Sequence, residues 1–390
     1  MAFCQSLDIA DFGTPNTVSR QAAQQTESSR GKLAMNSRFA PSPKGDQTRL
    51  TVQPFSNRRA VSGSENIMSV FNSVLVGVDL LRTEGLDSNS FSLPVEEAIR
   101  HGIWLAEKTS ACITFFAAVD MPEDKLHLHE AVESAGSSPL QVSRCRALNR
   151  LVEIAKQRGL TAKAKLVGGQ AWIEIIREVE QSGHDVVIVG RRNAGTLERF
   201  LFGSTATRLL HNCPCPVWVT GPKLLPLPHN ILVTSDFSPV SEITVKLGLA
   251  IGEFSGAKVN LLHAVDYLLD RKYSVGLLHT KAELYHTQVK SEAHEQLTDQ
   301  LARVAGGKST ATVDLHVVEG GMVADTAILE FIEHHQIDLL LMGTIARCGF
   351  SGVSIGNTAE RLVKHVPCSM LAVKLADFKT PIDLTATALP

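Results

Sequence analysis

One order of elements is written twice between about residues 70 and 377, and that duplication constrains the fold more than any other feature. In the first copy, the apolar run "SVLVGV" (73–78) ends at Asp79, and "VEEAIRHGIWLAEKT" follows with apolar residues at helical spacing. "CITFFAAV" (Cys112–Val119) is a second apolar run, trailed by a polar region and a helix ending near "LVEIAKQRGL". Then come the alternating "AKAKLV", the amphipathic "WIEIIREVEQSG", the run "DVVIVG" (Asp185–Gly190), a glycine-containing loop, a helix from about Ser204, and "CPVWVT" (Cys215–Thr220). The second copy follows the Pro-rich "GPKLLPLPHN". Its strand segments are "ILVTS", "KVNLLHAV", "TVDLHVV", "DLLLMG" and "SMLAVKL", with helical segments between them.

Continuous Val/Ile/Leu runs predict strands covered on both faces. Strands that alternate with helices predict right-handed crossovers and a parallel sheet. The expected fold class is therefore α/β: two doubly wound, five-stranded, parallel-sheet (Rossmann-like) domains in tandem. They are expected over residues 68–222 and 223–378, with a short tail over 379–390. The last strand of each copy, "PVWVT" and "SMLAVKL", would be an exposed edge on its own. Joining the two removes that liability and makes an intramolecular pseudo-twofold pair; a homodimer is a further assembly open to the chain.

Residues 1–67 are rich in Ser, Gln, Thr, Arg and Asn and lack a sustained period, which reads as disorder. Their excess of bases suggests a transit peptide only faintly, because a clear amphipathic Arg-rich helix is missing. A start at Met68, almost directly on a strand, is the other reading of this segment. Acids (40) and bases (38) nearly cancel, so no overall field points at nucleic acid or a membrane surface. There is no apolar run long enough for a membrane span. The 7 cysteines are scattered and odd in number, which points to a reducing, cytoplasmic setting. Cys213-Pro-Cys215 is the one close pair, and without a second pair it reads as buried cysteines rather than a metal site.

In a doubly wound sheet, ligands sit at the carboxyl ends of the strands, where the strand order reverses. Asp79 and the Gly190 loop fall there in the first copy, Asp236 and the Gly343 loop in the second. "FGSTATRLL" (Phe202–Leu210) recurs as "IGNTAERLV" (Ile355–Val363). Gly203 and Ser204 open a helix, where unpaired N–H groups and a partial positive charge suit phosphate oxygens. Ser204 would add a hydroxyl donor, with Thr205 beside it; alternatively Ser204 only caps its helix. Spacing alone does not separate the two.

The chain resembles the tandem universal stress proteins, over about residues 70–377. The family loop reads G-x-x-G, nine residues, then G-S or G-T, and wraps the ribose and phosphates of ATP in members that bind it. Gly190, Gly203 and Ser204 match it, with Asn193 in place of the second glycine and Arg192 where a basic residue often stands. Asparagine tolerates positive φ better than other non-glycine residues, so the turn can survive. The resemblance further implies that Asp79 meets the nucleoside, with Gly77 and Ala118 as backbone partners. The insert "LLRTEGLDSNSFSLP" after Asp79 departs from the family and would cover or obstruct the pocket. In the second copy, Gly343 and Gly356 match, but Ala346, Ile345 and Asn357 replace the second glycine, the basic residue and the serine. Asp236, Thr234 and Ala264 keep the nucleoside side.

The resemblance implies a stress-response protein that binds an adenine nucleotide, ATP with Mg, in the first domain, with a degenerate second pocket and protein partners the sequence does not name. The alternative is a structural or signalling module without nucleotide. An enzyme, a slow ATPase or a nucleotidyl transferase, rests on fold analogy alone. "AGGKST" (Ala305–Thr310) resembles a P-loop but follows a helix and precedes a strand, so it reads as a helix-ending turn. His127 and His129, beside Glu123, Asp124 and Glu130, read as a solvated loop rather than a metal site. His263, Trp172 and Trp218 read as core residues.

Overall fold

The computed structural model describes residues 70–80, 91–119, 139–191, 203–221, 227–267, 279–307, 309–319, 324–344, 356–375, 377–382 and 384. The segment 1–67, most of the insert after Asp79, the His127–His129 segment, Arg192, Asn193, Ile345 and Ala346 lie outside the described residues.

Strands and helices alternate throughout. The first repeat runs β1 (Ser73–Gly77), α1 (Leu93–Thr109), β2 (Cys112–Val119), α2 (Pro139–Gln157), β3 (Ala162–Gly168), α3 (Ala171–Ser182), β4 (Val186–Val189), α4 (Ser204–Asn212) and β5 (Val217–Val219). The second runs β6 (Asn230–Thr234), α5 (Pro239–Ser255), β7 (Lys258–Val265), α6 (His279–Ala305), β8 (Val313–Glu319), α7 (Ala324–His334), β9 (Leu339–Gly343), α8 (Asn357–His365) and β10 (Ser369–Val373). "AGGKST" is indeed a helix-ending turn: α6 stops at Ala305, and Gly306 and Gly307 take φ of 54° and 70°.

The ten described strands form one sheet, in the order β3-β2-β1-β4-β5-β10-β9-β6-β7-β8. Pairing is parallel within each repeat. It is antiparallel where β5 meets β10, so the two terminal strands cover each other's edges. Trp218 there faces Leu371, its counterpart in the second repeat, and the flanking pairs are Val219–Met370 and Val217–Ala372.

Alternate residues of each strand feed opposite faces. Val74, Val76 and Trp218 join one apolar cluster with Val233, Val259 and Leu371; Leu75, Val187 and Val219 join another with Leu232, Leu340 and Met370. Both clusters span both repeats. On the first face, Trp104 of α1 lies edge-on to Trp218 (6.3 Å) and against Phe254 of α5 (5.6 Å), which ties the helices across the seam. Trp218 is therefore the core residue the sequence suggested.

Close helix–strand approach depends on two equivalent glycines. A Cβ on Gly102 of α1 would stand 2.3 Å from Val76 Cγ2, and one on Gly248 of α5 would stand 2.4 Å from Val233 Cγ2. Twin aspartates set the strand starts. Asp185 Oδ2 accepts the N–H groups of Asn72 (2.6 Å) and Ser73 (2.9 Å), and Asp338 Oδ2 accepts those of His229 (2.8 Å) and Asn230 (3.0 Å). Each ties the first strand of its repeat to the fourth.

Candidate functional site

Strand order reverses between β1 and β4 in the first repeat and between β6 and β9 in the second, and a cleft opens at the carboxyl ends in each.

The first cleft has a volume of about 360 Å³. Gly77 and Asp79 come to it from the end of β1, Ala118 from β2, Gly190 from the end of β4, and Gly203, Ser204 and Thr205 from the start of α4. The structure thus brings together every described residue singled out in this repeat. Gly203 is the N-cap of α4 and Ser204 its first helical residue, which leaves the helix-start N–H groups facing the cleft. Ser204 is exposed and stands inside the helix, not at the capping position. Its wall also holds Ser92, Leu93, Pro94 and Val95, the end of the insert and the start of α1. Gly190 is indispensable to that wall: a Cβ there would lie 2.1 Å from the Pro94 carbonyl oxygen.

The second cleft has a volume of about 890 Å³. Thr234, Asp236, Ala264, Gly343 and Gly356 all line it, and Asn357 is the first residue of α8. Gly356 donates its N–H to the Thr344 carbonyl (2.6 Å), which pinches together the two ends of the loop between β9 and α8. Size therefore runs opposite to the loop motif: the repeat with the weaker glycine pattern has the larger cavity. The extra space lies against α6, whose Val289, Glu292, Ala293 and Gln296 contribute to the wall. No periodicity signal could have revealed that, because these residues are amphipathic-helix positions like any others.

A buried polar network shapes this second cleft. Ser235 Oγ donates to Gln300 Oε1 (2.7 Å), and Gln300 Nε2 donates to Ser241 Oγ (3.0 Å). Gln300 and Ser241 are almost wholly buried, so the end of β6, the start of α5 and the middle of α6 are held in one register. Asp236 in turn accepts from the Ser238 N–H (3.1 Å) and hydroxyl (2.5 Å), while Ser238 caps α5. Phe237 sits at φ +63°, a left-handed conformation uncommon outside glycine, with its ring 4.3 Å from that of His263. His263 itself donates its Nδ1–H to the Ser235 carbonyl (2.8 Å). The sequence suggested a core histidine; the ring is half-buried and lines the cavity.

Charge is lopsided. The described wall of the first cleft carries Asp79, and that of the second carries Asp236, Asp266 and Glu292; neither includes a described lysine or arginine. Among the described residues no group of three or more His, Cys, Asp or Glu side chains could hold a metal ion. No described helix is long and apolar enough to cross a membrane.

Two clefts at the switch points of a shared α/β sheet, each facing the start of a helix that follows a glycine, define a tandem α/β protein with two candidate sites. The family model described as the Universal stress protein family matches residues 71–221 and 228–374, and the chain belongs to that family. It is 27% identical over 218 residues to universal stress protein E of Escherichia coli strain K12, covering 54% of this chain and 67% of that protein. It is 22% identical over 294 residues to universal stress protein E of Photorhabdus laumondii, covering 74% of this chain and 93% of that one. Among solved structures, a universal stress protein from Archaeoglobus fulgidus shares the fold, with a TM-score of 0.54, 16% identity, and 78% and 98% of the two chains covered. Proteins of this family are in general non-catalytic, nucleotide-binding regulators.

Proposed function

We propose that the chain is a stress-response regulator that binds an adenine nucleotide in the first cleft, its two repeats forming an approximately twofold pair over residues 68–222 and 223–378. The observation that carries this reading is convergence. Gly77, Asp79, Ala118, Gly190, Gly203, Ser204 and Thr205 come from four separate segments, yet all line one cavity beside a helix start. In this reading Asp79 and the backbone at Gly77 and Ala118 meet the nucleoside. The Gly190 loop with Arg192 and Asn193, and the α4 N–H groups, meet the phosphates of ATP, with Mg as counterion. In the second repeat Thr234, Asp236 and Ala264 would hold a nucleoside, and Gly343, Gly356 and Asn357 would meet the phosphate less strongly.

A specific observation favours a second reading, a module that takes an uncharged ligand or none. No described lysine or arginine lines either cleft, so the described walls meet a triphosphate with backbone dipoles and hydroxyl groups, without a described cation.

Thermal denaturation with added ATP or adenosine separates the two. A ligand at ~100 times its Kd stabilises by about 2.7 kcal/mol. The first reading expects an ATP shift that Gly203→Val with Ser204→Ala abolishes. Loss of the shift in Asn357→Ala instead would move the site to the second repeat. Absence of any shift at millimolar ATP would sink the nucleotide reading, and a larger shift with adenosine than with ATP would favour the second.

A further inference from the structure

The turn between α4 and β5 reads Cys213-Pro214-Cys215, and it carries chemistry that neither cleft uses. The two sulfurs stand 3.7 Å apart in hydrogen-bonding contact. Pro214 fixes its own φ, and the chain bends at Pro214 and Cys215, so both side chains are held on one side of a short, stiff turn. Cys213 is fully buried in the apolar cluster of the second face, and Cys215 is half-buried at its margin. A cation from the other repeat closes the site. Lys374, just past β10, is almost wholly buried, donates its ammonium to the Cys213 carbonyl (2.8 Å) and lies 4.7 Å from the centre of the Phe378 ring.

We propose that Cys213 and Cys215 form a peroxide-responsive dithiol, converted reversibly to an intramolecular disulfide, with Lys374 holding the reactive thiolate. One thiolate attacks a peroxide oxygen; the O–O bond breaks, a sulfenic acid forms and hydroxide leaves. The second sulfur then displaces the sulfenic hydroxyl, forming the S–S bond. Two thiols and one hydrogen peroxide become one disulfide and two waters, the thiol protons going to the departing oxygens. Small size suits peroxide to a pair of which Cys215 is half-buried and Cys213 fully buried.

The local electrostatics agree with the geometry. The S–H of Cys215 and the ammonium of Lys374 both pull the Cys213 thiol below its ordinary range, against burial. Burial pulls Lys374 down to about 8, which leaves it mostly charged at neutral pH. The second repeat supplies an internal control. Its equivalent turn reads Val366-Pro367-Cys368, so the second sulfur is missing. Burial pushes the lone Cys368 thiol up to about 12, where thiolate chemistry at neutral pH is negligible.

The full chain, reduced, freed of reductant and exposed to hydrogen peroxide, is then alkylated after unfolding and mapped by mass spectrometry. The peptide containing residues 213–215 is expected to lose two hydrogens and refuse the alkylating reagent, and dithiothreitol should reverse both. Cys368 should remain fully alkylated. Cys215→Ser should stop at a dimedone-trappable sulfenic acid on Cys213. Lys374→Met should slow disulfide formation ~10-fold, and Lys374→Arg, which keeps the charge, should largely restore it. Three results overturn the proposal: both thiols still alkylatable after prolonged millimolar peroxide, a disulfide that pairs either cysteine elsewhere, or equally fast closure in the wild-type chain unfolded in guanidinium. A Lys374→Met rate equal to wild type overturns the role given to Lys374.

Discussion

His101 is buried on α1, with its Nδ1 2.9 Å from the Glu97 carbonyl oxygen and 3.5 Å from the Glu97 carboxylate. That carboxylate is already held by two bonds from Arg100, so burial dominates and, with the Arg100 charge, holds His101 down at about 4. An unfolded histidine titrates near 6.5. Above about 6.5 both states leave it neutral and its contribution is complete. As pH falls from about 6.5 to about 4, the unfolded chain takes up a proton the folded chain refuses, and on the order of 3 kcal/mol of stability is lost. Urea denaturation across that window should show the loss, and His101→Gln should flatten it. His316, also held at about 4 chiefly by burial, contributes a second drop over the same window. Gly102→Ala is a sharper test of packing. The added methyl would collide with Val76, so a loss of about 1–3 kcal/mol in chemical denaturation is expected, relieved in part by Val76→Ala.

At the scale of elements, the clamps at Asp185 and Asp338 make one prediction. Asp185→Ala strips the acceptor from two backbone N–H groups at the start of β1 and should cost about 1–3 kcal/mol. Hydrogen exchange should show the loss concentrated at Asn72 and Ser73. The strands were readable in the sequence because central parallel strands such as "DVVIVG" and "DLLLMG" are apolar on both faces, and nothing but burial explains such runs. The antiparallel join of β5 to β10 was readable from the edge each would otherwise expose. The cavity sizes were not. The cavity of about 890 Å³ is walled partly by α6, which is tied through Gln300 to Ser235 and Ser241, three polar residues with no shared sequence signal. His263 misled for a related reason: its strand is apolar, but the residue lies near the strand's carboxyl end, where the sheet face gives way to the cleft.

At the scale of the two repeats, the shared sheet should make them unfold as one cooperative body. Both apolar clusters run through the seam, and Trp218 sits at its centre, wholly buried. Trp218→Ala should cost about 3–5 kcal/mol. Urea unfolding followed by exchange in both repeats should remain a single transition at lower midpoint; a first transition confined to one repeat would show that the halves fold independently.

Two buried cations cross that seam in opposite directions. Arg191, just past β4, donates to the Val366 carbonyl of the second repeat (2.5 Å), and Lys374, past β10, donates to the Cys213 carbonyl of the first. The acceptors are counterparts, each the residue before the proline of its turn. The donors are not: Arg191 corresponds to Thr344, and Lys374 to Gly221. Each half supplies one positive charge to its neighbour, from a different position in its repeat. The halves are thus complementary rather than interchangeable, and a cation placed by Thr344→Arg would reach for the Cys213 carbonyl and crowd Lys374 unless Lys374 were replaced with it.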